Sequence, residues 1–156
     1  MFGQIGAVED FDAFFDELYR VFGEPDAWRL YPETMEVLRS LKKAGKKMAV
    51  ISNWDSRLFR LMKGLAIEEY FEFVLASAVF GASKPNPKIF EAALEKMGAK
   101  PAHAVHIGDS LEDDIKGAGR AGIWGIWIDR HGRKGSMPVP HPFNHVPAIG
   151  HLGELI

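Results

Sequence analysis

Three short apolar runs of the chain are followed by polar side chains that together could bind a phosphate group and a divalent cation. Ser52 and Asn53 follow the run MAVI, Lys84 lies in the loop after FVLAS, and Gly108 and Asp109 follow AVHI. A hydroxyl group and a lysine suit phosphate oxygens, and a carboxylate suits Mg2+. Taken singly, a serine after a strand is usually a turn residue and an exposed lysine is usually solvated. A phosphate and cation site is therefore predicted from these residues together and not from any one of them.

The elements around these residues alternate between buried strands and amphipathic helices. We predict strands in KKMAVIS, FEFVLAS, AVHIG and IWGIWID, and helices in PETMEVLRSLKKA, SRLFRLMKGLA, PKIFEAALEKMGA and SLEDDIKGAGRAG. Asn86 and Gly98 flank the third of these helices as its predicted N-cap and its stop. The strand runs are apolar throughout, which predicts an α/β fold with a parallel sheet and helices on both faces. Ligands of such sheets bind beyond the carboxyl ends of the strands.

Composition limits the classes of function. The 156 residues are 47% hydrophobic, contain no cysteine and carry a net charge of −2, with 19 basic and 21 acidic residues. A single domain is expected, and disulfide scaffolds, thiolate zinc sites and cysteine nucleophiles are excluded. We expect neither nucleic acid nor a membrane as partner, because positive charge is not in excess and the apolar runs are short. The sequence favours a soluble, cytoplasmic protein.

Three features have competing interpretations. The segment 117–122 spells G-x-G-x-x-G, but it closes a helix instead of following a strand, so helix packing is favoured over a Rossmann-type nucleotide domain. Histidines and basic residues after the last strand are interpreted as loop residues and not as a metal site or a nucleic-acid patch: His141, His145, His151, Arg130, Arg133 and Lys134. The segment DFDAFFDELYRVF predicts a helix with an aromatic stripe, most simply a buried packing surface, with partial exposure as the alternative.

Three motifs in order resemble those of a known family. VISNWDSRL, GASKPNPKIF and HIGDSLEDDIKGAGRAG are similar to the second, third and fourth motifs of the haloacid dehalogenase-like (HAD) hydrolase superfamily. The similarity runs from about residue 10 to residue 129 and is strongest to the phosphatase branch, which has a helical cap inserted after the first strand. The resemblance implies a Rossmann-like core.

The resemblance also implies roles for individual residues. Ser52 would bind the phosphate, Lys84 would steady the phosphate and the nucleophile, and Asn53 would contact phosphate or substrate. Asp109 would be a ligand of a Mg2+ cofactor. Asp114 matches the second acid of the fourth motif, and the adjacent residue, Asp113, could take its place as the metal ligand.

The first motif of the family has no counterpart in the chain. It carries an aspartate nucleophile on the central strand, then a second aspartate that acts as general acid and base, then Gly-Thr. The nearest candidate is Asp10-Phe11-Asp12, which Ala13 follows, and we interpret these acids as the start of a helix. The resemblance thus divides the chain into the remnant of a helical cap (residues 1–31), the core (32–129) and a C-terminal loop or tail (130–156) with a short helix near Leu152.

The expected function is that of a Mg2+-dependent phosphatase acting on a small phosphorylated metabolite through an aspartyl-phosphate. The alternative is a catalytically inactive module that binds phosphate or a protein partner. The resemblance predicts a vacant place for the central strand, explained by a truncation, a misassigned start or a split protein. A second copy, a complementing N-terminal fragment or the N-terminal segment MFGQIGAV would fill it, which predicts an oligomer or a poorly soluble chain. The substrate stays open, because the family's specificity resides in the cap.

Overall fold

Parallel strands alternate with helices along the chain, which confirms the predicted α/β class and its Rossmann-like arrangement. The structure is a computed structural model that describes residues 10–132 and 148–156. The strands are β1 (Ala49–Ser52), β2 (Phe73–Ala76), β3 (Val105–Gly108), β4 (Trp124–Ile128) and β5 (Ala148–Ile149). The α-helices are α1 (Phe11–Phe22), α2 (Thr34–Lys43), α3 (Arg57–Gly64), α4 (Ser77–Phe80), α5 (Pro87–Met97) and α6 (Gly117–Arg120). None of the helices in these ranges is both long and apolar enough to cross a membrane.

The described strands form two parallel sheets instead of one. β1 pairs with β2, with Ser52 opposite Ala76, and β3 pairs with β4, which pairs in turn with β5. Within the described ranges, β1 and β3 therefore each have a strand partner on one side only. These are the two strands between which the resemblance places the central strand of the family. The N-terminal segment that was expected as one candidate filler lies outside the described residues.

Helices cover both faces of the β1–β2 pair. Successive residues of a strand point to opposite faces, so two adjacent residues of β1 pack in two different clusters. Val50 packs with Leu58 and Met62 of α3, whereas Ile51 packs in a cluster around Phe90 of α5. That second cluster also contains Ala118 of α6 and Ile123, next to β4. The helical layer of α5 and α6 thus joins the two sheets through one shared core.

The caps of α5 follow the prediction. The Asn86 side chain accepts a hydrogen bond from the backbone N–H of Lys88 at 3.0 Å, and Pro87 occupies the first helical position. Gly98 ends the helix with a φ angle of 62°, a left-handed conformation that glycine adopts without steric penalty. The N-cap and the stop each depend on neighbouring residues only, which is why the sequence predicts both ends of α5.

The segment after Asp129 differs from the expected loop or tail. Ala148–Ile149 adds a parallel strand beside β4, and Leu152–Leu155 forms a short 3-10 helix near the predicted position. The Asp129 N–H donates to the Ile149 carbonyl at 2.8 Å. His141 and His145, together with Arg133 and Lys134, lie outside the described residues.

Helix α1 forms where predicted, but the expectation that its aromatic stripe is buried is wrong for the described structure. None of its residues is buried, and its large apolar side chains are between 44% and 66% exposed: Phe11, Phe14, Phe15, Leu18, Tyr19 and Phe22. In the described ranges the stripe is left largely uncovered, and the exposed alternative applies.

The C-terminal half of α1 is attached just beyond the end of β1. The Arg57 guanidinium carbon lies 3.4 Å from the centre of the Tyr19 ring, and Arg57 also donates to the Tyr19 carbonyl. Asp55 accepts hydrogen bonds from Arg57 at 2.8 Å and from the Tyr19 hydroxyl at 3.3 Å. The hydrogen bond from Arg57 is the main reason why the pKa of Asp55 falls to about 2.

Candidate active site

Two of the segments that the sequence singled out meet directly at Asn53. Its side-chain Nδ2 donates to the Lys84 carbonyl at 2.9 Å, and its Oδ1 accepts from the Lys84 backbone N–H at 2.7 Å. The residue after β1 thus fixes the backbone of the loop that carries the lysine. This contact gives Asn53 a positioning role in addition to the phosphate or substrate contact that the resemblance implies.

The Lys84 side chain connects the β1 side of the site with the end of β3. Its Nζ lies 2.5 Å from Oδ1 of Asp114, and the two side chains are only 12% and 4% exposed. Lysine and aspartate are rarely buried to this extent unless they are paired. The ion pair therefore ties together the two sheets at their carboxyl ends.

The Asp114 carboxylate is engaged on both oxygens. Oδ1 also lies 2.9 Å from Nε2 of His106, and Oδ2 accepts from the Ser110 N–H at 3.0 Å. Burial raises the pKa of Asp114, but hydrogen bonds from His106 and Lys84 outweigh it and hold that pKa well below its usual range. The ionised carboxylate accepts hydrogen bonds only, so the histidine donates from Nε2.

Two local features bring Asp114 back over the end of β3. The Ser110 carbonyl accepts from the N–H groups of both Asp114 and Ile115, at 2.9 and 3.2 Å, so Leu111–Lys116 forms a wide π-helical turn before α6. A Cβ atom on Gly108 would lie 2.2 Å from Cγ of Asp114, so the approach requires glycine at that position. The predicted helix of this segment exists, but its first turn is wider than an α-helix. Such π-helical turns are frequent at functional sites.

Asp109 has a different environment from Asp114. Asp109 is exposed, and its backbone carbonyl accepts a hydrogen bond from Nε1 of Trp127 at 3.1 Å. The backbone is thus held, and Asp109 lines a cleft of about 440 Å3 together with Tyr31, Arg130 and His131. A cleft of this volume suits a small ligand.

The residues present fit Mg2+ only in a site that a ligand completes. Within residues 10–132 and 148–156, no three His, Asp or Glu side chains gather closely enough to hold an ion by themselves. Asp109 offers an open carboxylate, Asp113 is half-buried with its N–H bonded to the Ser110 hydroxyl, and Asp114 already has three donors. Mg2+ commonly binds through one or two carboxylates, water and substrate phosphate, which this arrangement allows.

The three remaining candidates from the sequence lie at the end of a strand or at the start of a helix. Ser52 is the last residue of β1 and is half-buried, directly before Asn53. Asp10 is the N-cap of α1, and its Oδ1 accepts from the Ala13 N–H at 3.0 Å. Asp12 lies in the first turn of the same helix. The carboxylate of Asp10 is thus used as a helix cap, as the helix-start interpretation expects.

Sequence reasoning missed two residues at the site. His106, the polar residue in the run AVHIG, packs edge-to-face on Phe90 with ring centres 5.0 Å apart while it contacts Asp114. Arg130 was interpreted as a solvated loop residue, which is wrong: its side chain is 20% exposed and lies 2.7 Å from the Glu33 carboxylate. A polar residue inside an apolar strand run was the available signal for His106. Arg130 had no local signal, because its partner is far away in the sequence.

Comparisons with known proteins identify the family of the chain. The sequence profile of the haloacid dehalogenase-like hydrolase family matches residues 4–122. Haloacid dehalogenase-like hydrolase domain-containing protein 3 of Bos taurus is 36% identical over 142 residues, which cover 88% of this chain and 55% of that protein. Glyceraldehyde 3-phosphate phosphatase of Methanopyrus kandleri is 40% identical over 101 residues, covering 64% of this chain and 43% of the relative.

Solved structures give the same result for the fold. The crystal structure of a HAD phosphatase from Thermococcus onnurineus superposes with a TM-score of 0.76 at 30% sequence identity, covering 90% of this chain and 62% of that one. The chain spans about half the length of the curated relatives it matches. With three motifs in order, a parallel α/β core and a family profile over most of its length, the chain belongs to the haloacid dehalogenase-like hydrolases.

Proposed function

We propose that the chain supplies the phosphate-binding and metal-binding side of a Mg2+-dependent phosphatase that acts on a small phosphorylated metabolite. The observation that carries this proposal is Lys84, whose backbone is held by Asn53 and whose side chain is held by Asp114, in the same part of the fold as the exposed Asp109 at the end of β3. The lysine is a buried cation at the carboxyl edge of a parallel sheet, where ligands of such folds bind. The phosphatase named among the relatives supports a phosphate ester as substrate. We place the protein in the cytoplasm.

Each residue of the site would have its own role in binding the phosphate or the metal. The Ser52 hydroxyl donates to a phosphate oxygen, and the Lys84 ammonium neutralises charge on the phosphoryl group. Asp109 would hold Mg2+, with Asp113 or Asp114 contributing from the neighbouring turn. When bound, Mg2+ supplies electrostatic stabilisation of the phosphoryl oxygens. Asn53, Asp114 and Gly108 are positioning residues, because they fix the lysine and the turn.

The reaction requires an aspartate nucleophile that we do not assign to a described residue. Its carboxylate oxygen attacks phosphorus, the ester P–O bond breaks, and the leaving alcohol takes a proton from a general acid. Water then hydrolyses the aspartyl-phosphate, which releases inorganic phosphate and restores the carboxylate.

A second candidate function is binding of a protein partner without turnover, and the two-sheet arrangement favours it. Val105 of β3 is 55% exposed, and neither β3 nor β1 has a second strand partner in the described ranges. Exposed strand edges accept further strands through backbone hydrogen bonds. We propose a second copy of the chain or a complementing fragment as the partner.

Phosphate binding tests the first candidate. We expect the chain to bind inorganic phosphate weakly in the presence of Mg2+, and Lys84→Met to weaken that binding by about 10- to 100-fold, the range expected for a hydrogen bond to a charged group. Isothermal titration with folding checked by circular dichroism measures the effect. Lys88→Met removes an exposed lysine of α5 and serves as the control, with unchanged affinity expected. Equal phosphate affinity in both variants would contradict the assignment of Lys84.

Solution mass tests the second candidate. We expect light scattering to show a dimer or a larger species, and Val105→Lys to shift the mass toward the monomer, because edge charges oppose strand pairing. Val79→Lys is the control, since Val79 is 60% exposed on helix α4 and not on a strand. A sharp monomeric mass with cooperative unfolding in the unaltered chain would refute the edge-pairing proposal.

A further inference from the structure

The cleft beside Asp109 has an aromatic wall that is held in place by charged groups. The Arg130 guanidinium carbon lies 3.5 Å from the centre of the Tyr31 ring. At that distance the guanidinium covers one face of the ring, and cation–π attraction holds the two groups together. Tyr31 nevertheless remains 56% exposed and lines the same cleft as Asp109.

Arg130 is itself held by Glu33, which also contacts the C-terminal 3-10 helix. Its Nη2 lies 2.7 Å from Oε1 of Glu33, and these two side chains are 20% and 19% exposed. The same Glu33 oxygen accepts from the Leu152 N–H at 3.4 Å. The segment before α2, the end of β4 and the 3-10 helix at Leu152–Leu155 are therefore joined at this point, so the orientation of Tyr31 is set before a ligand arrives. A preorganised group loses little conformational entropy on binding.

We infer that Tyr31 is a specificity-determining residue whose open face stacks on a planar ring in the alcohol portion of the phosphorylated substrate. This inference rests on the proposed function, which brings the phosphoryl group to Asp109 and Lys84. Within residues 10–132 and 148–156, Arg130 covers one ring face, which leaves the other face available to a ligand in the cleft of about 440 Å3 that Tyr31 lines. An offset-stacked aromatic pair gains binding energy beyond the burial of its area, and a saturated ring of the same size lacks the π-system that supplies this gain.

The charge balance of the wall agrees with a neutral ring as its ligand. Glu33 pairs with Nη2 of Arg130 and offsets the charge of the guanidinium that covers the ring. Under the proposed function, the charges that meet the ligand lie at its phosphoryl group and belong to Lys84, Asp109 and the ion that Asp109 would hold. The aromatic wall at Tyr31 distinguishes substrates by shape and polarisability, while the phosphoryl group binds at Asp109 and Lys84.

Ligand pairs of matched size test the inference on the 156-residue chain with Mg2+. We expect phenyl phosphate to bind about 3- to 10-fold more tightly than cyclohexyl phosphate, which has the same ring size but is not planar. Tyr31→Phe should keep this ratio, and Tyr31→Ala should reduce it to about 1. The indole N–H signal of Trp127, which bonds to the Asp109 carbonyl, reports in NMR whether binding occurs at this cleft.

The outcomes separate the inference from the function on which it rests. Equal affinities for the two rings, or a preference that survives Tyr31→Ala, would overturn the role of Tyr31 even if inorganic phosphate binds normally. If inorganic phosphate fails to bind but the ring preference and its loss in Tyr31→Ala persist, the proposed function fails and the aromatic wall stands.

Discussion

The 156-residue chain is expected to release no p-nitrophenol from p-nitrophenyl phosphate above the Mg2+-containing blank. The family's reaction depends on an aspartate nucleophile, and the chain contains no D-x-D-G-T sequence. Loss of a covalent nucleophile typically lowers kcat on the order of a million-fold, which leaves phosphate binding but no measurable turnover. Continuous absorbance at high protein concentration measures the rate.

Asp12→Asn tests whether the acids at the start of α1 include the nucleophile. Asp12 belongs to the first turn of α1, next to the cap residue Asp10, and Asp16→Asn on the same exposed helix is the matched control. Robust Mg2+-dependent turnover that Asp12→Asn abolishes and Asp16→Asn leaves intact would place the nucleophile in Asp10-Phe11-Asp12. It would also remove the need for a nucleophile outside the described residues.

Asp114→Ala is expected to lower the free energy of unfolding by about 3–5 kcal/mol, the range for breaking one partner of a buried ion pair. The substitution leaves the buried Lys84 ammonium without its carboxylate and the donors of His106 and Ser110 without their acceptor. A domain of ordinary stability has only ~5–15 kcal/mol in total, so the variant should be close to unfolding at room temperature. Urea unfolding followed by tryptophan fluorescence in EDTA measures the change without a contribution from metal binding.

Asp113→Ala provides the comparison on the adjacent residue. Its contact with the Ser110 hydroxyl is made by the backbone N–H, so the substitution retains that hydrogen bond. We expect a change of at most about 0.5 kcal/mol, as for side chains without specific partners. Equal losses in the two variants would show that the ion pair at Lys84 does not stabilise the junction of the two sheets.

Much of the fold was predictable because its signals are local. The apolar runs that became β1 to β4, the cap at Asn86 and the stop at Gly98 depend on residues within a few positions of each other. The motifs around Asn53, Lys84 and Asp109 were also identified as candidates from their order and their place after strands. The sequence alone therefore determined the class of fold, the positions of most elements and the edge at which a site would form.

The tertiary structure alone decided how those candidates interact. The division into two sheets, the open face of α1 and the strand at Ala148–Ile149 depend on which elements meet across long stretches of chain. The same is true of Arg130, whose ion pair with Glu33 joins residues 97 positions apart, and of the Lys84–Asp114 pair, 30 positions apart. Local periodicity reports which face of an element is apolar, but the partner of a buried charge is set by packing. For that reason the sequence named the lysine and the acid, and only the folded chain placed them in contact.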